Sequence, residues 1–330
     1  MSLRVVYFHR KRGPEHFSLE RVFSDIREQL ASSIHGVVAH CPRPSKGIWN
    51  RIVNVLWAYR NQGDVNHITG DVHYLTFLLR KNATILTIAD CVPLERSRGL
   101  KRWLLWLFWY WLPEKRSGKI TAISTFTKNQ LLLHVSCDPD KIAVVHCPVA
   151  KEFAPSPKPF DVACPVVLQV GTGWNKNLEG VAKALKGIAC RLEIVGQVSE
   201  AQRSVLAVNG IAFACHIGVS DEEMRSLYRK CDLVVFASVY EGFGLPIIEA
   251  QAIGRPVVTS NCCSMPEVAG DSACLVNPDS IDSIRLGIMR VLGDQAYREG
   301  LIAKGFENVK RFPPARIAEQ YAELYRRMIS

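Results

Sequence analysis

The chain has 330 residues, long for one hydrophobic core and sufficient for two domains of about 150 residues each. Apolar residues make up 48%, and the absence of any low-complexity tract or repeat excludes a disordered or fibrous protein. The formal charge of +10 resides in residues 1–150, where 21 Lys and Arg meet 11 Asp and Glu, against 20 and 20 in residues 151–330. A basic first half suits an anionic lipid surface or a phosphate-bearing partner. Nucleic acid also fits the charge, but no reading motif accompanies it, so no nucleic-acid partner is expected. Eleven cysteines without a C-x-x-C pair predict a reduced, cytoplasmic protein, and Met1 runs at once into a strand pattern with no signal-peptide features.

Leu3–His9 reads as the first strand, followed by the basic loop Arg10-Lys11-Arg12-Gly13-Pro14-Glu15-His16 and a helix opening at Ser18. Three adjacent cations suit a phosphate and equally a solvated turn. Gly36–His40 is a second strand, and Lys46–Arg60 a helix with Trp49, Ile52, Val53, Leu56 and Trp57 on one face. Lys101–Leu112, closed by Pro113, has an apolar core of about ten residues, too short for a bilayer that needs about 20. Its four tryptophans and basic flanks suit a segment lying in the headgroup layer of an anionic membrane. An interior helix packed on a sheet is the other reading. Lys119–Ser124 is a strand whose end, Ser124, suits the N-cap of the next helix. Asp138-Pro-Asp140 has the spacing of a paired-carboxylate metal motif, but it precedes a strand instead of ending one. A turn is expected there, and no metal.

Cys147–Phe160 is proline-rich and reads as an extended linker. The predicted organisation is therefore a domain over 1–150, a linker over 151–160, a second domain over 161–312 and a closing helix over 313–330. Pro165–Val170 is a strand, Gly171-Thr172-Gly173-Trp174-Asn175-Lys176-Asn177 a turn into a helix, and Arg191–Val195 the next strand. Gly171 and Gly173 hint at a dinucleotide fingerprint, but Lys176 holds the third glycine position and Glu193 falls inside a strand. Ser220 and Glu223 form a capping box.

Asp232–Ser238 is a short β-rich apolar run, the pattern of a strand buried on both faces. Tyr240-Glu241-Gly242-Phe243-Gly244-Leu245-Pro246-Ile247-Ile248-Glu249-Ala250 follows, with a helix over about 246–253 ended by Gly254. Glycines at a strand-to-helix turn let several N–H groups converge beside a positive helix end, which makes an anion site, most often for phosphate. The carboxylates that bracket it cannot bind phosphate and suit hydroxyl-rich groups on either side. A nucleotide sugar has that layout.

Glu241 and Glu249, with Gly-Phe-Gly-Leu-Pro between them, resemble the E-x7-E element of retaining glycosyltransferases of the GT-B fold, glycosyltransferase family 4. The resemblance implies an α/β protein of two Rossmann-like domains facing each other across a cleft, with the nucleotide sugar on the second and the acceptor on the first. It implies that Glu241 contacts the transferred sugar near the reacting carbon, that the amides around Phe243, Gly244 and Leu245 hold the diphosphate, and that Glu249 takes the ribose hydroxyls. Lys176, in the family's Lys-Asn pair with Asn177, supports the leaving diphosphate; Gly171 and Thr172 belong to the same donor loop, and Val219 lies beside the base. Asp90 is retained from the family's Thr-Ile-His-Asp segment, and Ser124 stands near the donor phosphates or the sugar. On the acceptor side the resemblance points to Arg12 and Gly13, and His67 is a further acceptor-binding candidate.

Three positions depart from the family. Ala89 replaces the histidine before Asp90, Thr172 replaces an arginine, and Gly13 stands alone where a Gly-Gly pair is usual. His67 and His73 are candidates to substitute for the missing histidine, although a lone histidine is more often structural. The implied activity is metal-independent transfer of a hexose, with GDP-mannose preferred as donor, to a saccharide or lipid-linked acceptor in surface polysaccharide or lipopolysaccharide assembly. No cofactor is needed beyond the nucleotide-diphosphate sugar as co-substrate. The expected location is the cytoplasm, with peripheral contact to the inner face of an anionic membrane. The departures also leave open a weak or inactive nucleotide-sugar-binding subunit that partners an active transferase.

Overall fold

A computed structural model describes residues 2–11 and 18–329. The chain divides into two compact units, one of Met1–Pro148 with Pro314–Ser330 and one of Val149–Pro313. Among the described residues, the first unit is built on β1 (Leu3–His9), β2 (Ile34–His40), β3 (Val65–Ile68), β4 (Thr84–Ile88), β5 (Lys119–Ala122) and β6 (Ile142–Val144), in the spatial order β2-β1-β3-β4-β5-β6. The second has β7 (Val166–Val170), β8 (Arg191–Val195), β9 (Ala212–His216), β10 (Leu233–Phe236), β11 (Val257–Ser260) and β12 (Cys274–Val276), in the order β12-β11-β10-β7-β8-β9. Every pairing in both sheets is parallel. Parallel strands need crossover helices, which cover both sheet faces, so Val5–Phe8 and Leu233–Phe236 are buried along their whole length. The α/β class and the two Rossmann-like halves expected from the sequence are the ones observed. Strand order reverses between β1 and β3 in one sheet and between β7 and β10 in the other, and in open α/β sheets ligands bind at the carboxyl ends beside such reversals.

The closing helix, Pro314–Arg327, completes the first unit. Its Tyr321 and Tyr325 are buried, with rings against His67 and, from Tyr321, Phe23. Tyr325 Oη lies 2.8 Å from His67 Nδ1 and donates to Tyr7 Oη at 3.0 Å, while His67 Nε2 lies 2.7 Å from Thr87 Oγ1. His67 is therefore a core residue with both ring nitrogens engaged, and the expectation that it meets an acceptor is corrected. His73 is buried too, its Nδ1–H donating to the Trp109 carbonyl at 2.7 Å. Both histidines complete hydrogen bonding inside the fold instead of replacing the family's active-site histidine.

Burial pushes the His67 imidazole down to about 3, with a smaller contribution from His9. The folded chain thus keeps it neutral, while the unfolded chain binds a proton below the ordinary 6.5. Its stabilising effect is complete above about pH 6.5 and is lost toward pH 3, at about 1.4 kcal/mol per pH unit. Urea unfolding between about pH 7 and pH 4.5 should show a shallower loss of stability for His67→Gln than for the wild type. Equal slopes would remove His67 as the source.

Two amphipathic segments of the first unit are oriented by their polar partners. The helix Ile48–Arg60 seats Asn54 and Ala58 inward, and Asn54 exchanges hydrogen bonds with the Arg43 backbone and donates to Tyr74 Oη. Trp49, Ile52, Val53 and Leu56 consequently face outward, whereas Trp57 packs edge-on against Phe8. The stretch Gly99–Arg116 contains a π-helical turn over Trp106–Trp111. That turn brings Trp109 inward to donate to Asp71 and lets Trp106 Nε1 donate to the His134 carbonyl at 2.9 Å. Leu100, Trp103, Leu104 and Phe108 remain exposed. The interior reading of this stretch thus holds for Trp109 and Tyr110. Among the described residues, no helix is long and apolar enough to cross a membrane.

Candidate functional site

The carboxyl ends of β7 and β10 are neighbours because the two strands pair directly. Each continues into a loop rich in the residues singled out above. After β7, Gly171 takes φ +90°, a left-handed conformation that favours glycine, and a Cβ there would sit 2.9 Å from Lys176 Cε. The missing side chain is what lets the Lys176 stem fold back over its own loop. The Lys176 carbonyl accepts from Gln169 Nε2 at 2.8 Å, and Asn177, also left-handed at φ 53°, donates to the carbonyls of Ala237 and Pro278. Val239 N donates to the Asn175 carbonyl at 2.8 Å, tying the two loops together.

The result is a short ion pair at the strand reversal. Lys176 Nζ donates to Glu241 Oε1 at 2.6 Å, and its ammonium lies 4.8 Å from the Phe236 ring centre. Asn175 Nδ2 donates to the same carboxylate oxygen at 3.1 Å and to the Tyr240 carbonyl at 3.0 Å. Glu241 is thereby held by two donors from the β7 loop. Ser264, fully buried, lies 2.9 Å from the Glu241 carbonyl and 2.8 Å from that of Phe243, and pins the β10 loop from below. The Phe243 ring is buried edge-on against Phe312.

The helix Leu245–Ile253 starts directly after Gly244, whose φ of +109° again requires the left-handed region. Pro246 in the first turn lacks an N–H that the helix would leave unpaired, and Gly254 closes the other end. This helix is buried on all sides, so Glu249 is also buried and receives a hydrogen bond from Tyr228 Oη at 2.8 Å. The start of such a helix, with an ammonium beside it, favours an anion, while Glu241 and Glu249 offer acceptors to hydroxyl groups.

The other expected site residues lie as follows. Thr172 donates through Oγ1 to the Gln197 carbonyl at 2.7 Å, so its hydroxyl ties the loop after β7 to the loop after β8. Val219 is half-buried in the loop after β9, next to Gly218 and the Ser220–Glu223 capping box, both halves of which form. Asp90 and Ser124 belong to the first unit, after β4 and β5. Asp90 Oδ1 accepts from Val92 N at 3.0 Å; Ser124 is fully buried and caps the helix Thr125–His134 by accepting from Thr127 N. Arg12 and Gly13 lie outside the described residues. Asp138 Oδ1 accepts from Asp140 N in a turn before β6, and among the described residues no group of three or more His, Cys, Asp or Glu is arranged to hold a metal ion.

This geometry coincides with a family assignment. Residues 151–308 match the family model for glycosyl transferases group 1. The chain carries a glycosyl transferases group 1 domain. It is 44% identical over 94 residues, 28% of its length, to the O-antigen chain mannosyltransferase B of Escherichia coli, and that match spans 25% of the relative. It is 25% identical over 352 aligned positions to the MMP alpha-(1->4)-mannosyltransferase of Mycolicibacterium hassiacum, covering 97% of this chain and 84% of that one. In structure it is similar to the sucrose-phosphate synthase of Thermosynechococcus elongatus, with a TM-score of 0.81, 15% identity and 99% of each chain covered. The fold is therefore GT-B.

Two residues at this site escaped sequence reading. Asn175 and Ser264 each hold the Glu241 loop, yet neither type in a turn marks a function. The one available signal for Ser264 was its place in the loop after β11, in Asn261-Cys-Cys-Ser-Met-Pro-Glu267.

Proposed function

We propose that the chain is a retaining, metal-independent hexosyltransferase. It moves a sugar, mannose from GDP-mannose in the preferred form, onto a saccharide acceptor carried by a lipid. The names of the mannosyltransferases to which it is similar support mannose and O-antigen assembly as its setting. The observation that carries the reading is the Lys176–Glu241 pair beside the start of the helix Leu245–Ile253, with Glu249 one turn inside it. An ammonium beside the start of a helix matches a diphosphate, and the two carboxylates match the sugars that flank it.

In this reaction the bond between the sugar's anomeric carbon and the diphosphate oxygen breaks, and the acceptor hydroxyl attacks from the same face. The acceptor's proton passes to the departing diphosphate, so no separate protein base and no cofactor are needed. Lys176 and the amides of residues 243–245 stabilise the negative charge that develops on the leaving group, and Glu241 steadies the positive charge on the sugar. Val219 would lie beside the base. The chemistry would take place in the cytoplasm, at the inner face of a membrane.

A thermal-shift panel of GDP, UDP, ADP and their sugars tests the donor site. A ligand at a hundredfold excess over its dissociation constant should stabilise the fold by about 2.7 kcal/mol. One nucleotide should stand out, and Glu249→Ala should abolish its effect. No shift in folded protein would overturn the donor-site reading. A shift without transfer to any lipid-linked saccharide would favour a binding subunit, the alternative that Thr172 and Ala89 keep alive.

A further inference from the structure

The outward faces of the two amphipathic segments in the first unit adjoin. Between Ile48–Leu56 on one side and Leu100–Phe108 on the other lies an open groove of about 860 Å³, walled almost wholly by hydrocarbon and floored by Tyr74, Phe77 and Trp109. The residues that line it protrude, Ile48 at 74% and Leu100 at 72% exposure, and Trp49, next to Ile48 in the chain, is 80% exposed. Singly exposed apolar residues are ordinary, but a continuous apolar surface of this kind marks an interaction site.

The charge around it selects the occupant. No Asp or Glu occurs from Cys41 to Gly63 or from Arg96 to Pro113, whereas these stretches carry eight Lys and Arg. Arg43, Lys46, Arg98, Lys101 and Arg102 are exposed, so cations outnumber acids around the apolar face, where Asp71 accepts from Trp109. A second copy of the chain would bring one cationic frame against another. A surface that is apolar inside and anionic at its boundary complements both features at once, and tryptophans favour that boundary.

We infer that this face docks on an anionic lipid bilayer, with Trp49 in the headgroup layer and the rim cations on lipid phosphates. The inference deepens the lipid-linked-acceptor reading and rests on it for its purpose; the surface itself is argued from the first unit alone.

The test is flotation of the full chain with vesicles of phosphatidylcholine, alone or mixed equally with phosphatidylglycerol. The wild type should float with the mixed vesicles and at least about tenfold less with the neutral ones. Trp49→Ser with Leu100→Ser should weaken partitioning about tenfold through lost apolar contact. Lys46→Glu with Lys101→Glu should weaken it about 25-fold or more, at about fivefold for each lost cation. Both variants should keep the wild-type thermal shift with nucleotide, which separates lost docking from lost folding. Failure of the wild type to float, equal binding to neutral vesicles, or undiminished binding by both variants would overturn the inference. So would a wild-type dimer, dissolved by the same substitutions, that ignores vesicles. A chain that floats but neither binds nucleotide nor transfers sugar would keep the docking face and lose the transferase reading. One that transfers to a water-soluble acceptor without floating would do the reverse.

Discussion

Lys176→Ala should lower turnover by about two to three orders of magnitude while leaving the fold nearly as stable as the wild type. The ammonium stands 2.6 Å from Glu241 and is one-fifth exposed, so it is partly screened by solvent and contributes modestly to folding. In the proposed reaction the demand on it is larger. Negative charge grows on the departing diphosphate only as the glycosidic bond breaks, and a preplaced cation stabilises that state more than the bound substrate. The loss should therefore fall on the turnover number more than on nucleotide affinity. With the lysine gone, Glu241 would keep the hydrogen bond from Asn175, so its position should survive. Single-turnover transfer from the nucleotide sugar, measured beside nucleotide binding, checks this. Turnover within about threefold of the wild type would remove Lys176 from the chemistry.

Arg255→Ala should destabilise the second unit by about 3 kcal/mol, a large share of the net stability of an ordinary domain. Arg255 is buried after the helix Leu245–Ile253. Its Nε donates to the Tyr228 carbonyl at 3.1 Å, and its Nη2 to those of Ser156 and Arg229 at 2.9 and 2.6 Å. Truncation strips several backbone acceptors of their partner at once, and buried acceptors left unpaired keep their full desolvation cost. Tyr228, whose hydroxyl holds Glu249, is one of the residues anchored in this way. Arg255→Lys should recover little, because a single ammonium cannot reproduce the fork of a guanidinium. Urea unfolding reads the effect as a lowered midpoint at constant slope. A change below about 1 kcal/mol for Arg255→Ala would mean that water replaces the guanidinium.

Much of the candidate site was legible because its elements are local. The eight-residue step from Glu241 to Glu249 crosses one loop and one turn of helix, and glycines at 242 and 244 mark where that loop bends. Strand–helix alternation likewise announced two α/β halves. The partners that fix Glu241 were not legible in this way. Asn175 lies 66 residues from it, and the contact depends on β10 inserting beside β7 instead of continuing past β9. His67 was misjudged for a related reason. Its ring is completed by Tyr325, 258 residues away, and a histidine inside an apolar strand looks the same in sequence whether its partner is a ligand or the closing helix.

The sequence by itself determined the strand and helix pattern, the strand-to-helix turns with their glycines, and the identity of the charged groups, since each depends on neighbours within about two helical turns. Tertiary structure alone decided which face of each amphipathic segment is buried. In Ile48–Arg60 the apolar stripe points outward because Asn54 finds its partners in Arg43 and Tyr74, and in Gly99–Arg116 a π-helical turn draws Trp109 inward and leaves Trp103 outside. Periodicity reports that a helix has two unlike faces. Which of them meets the core is set by the hydrogen bonds that its few polar residues must complete.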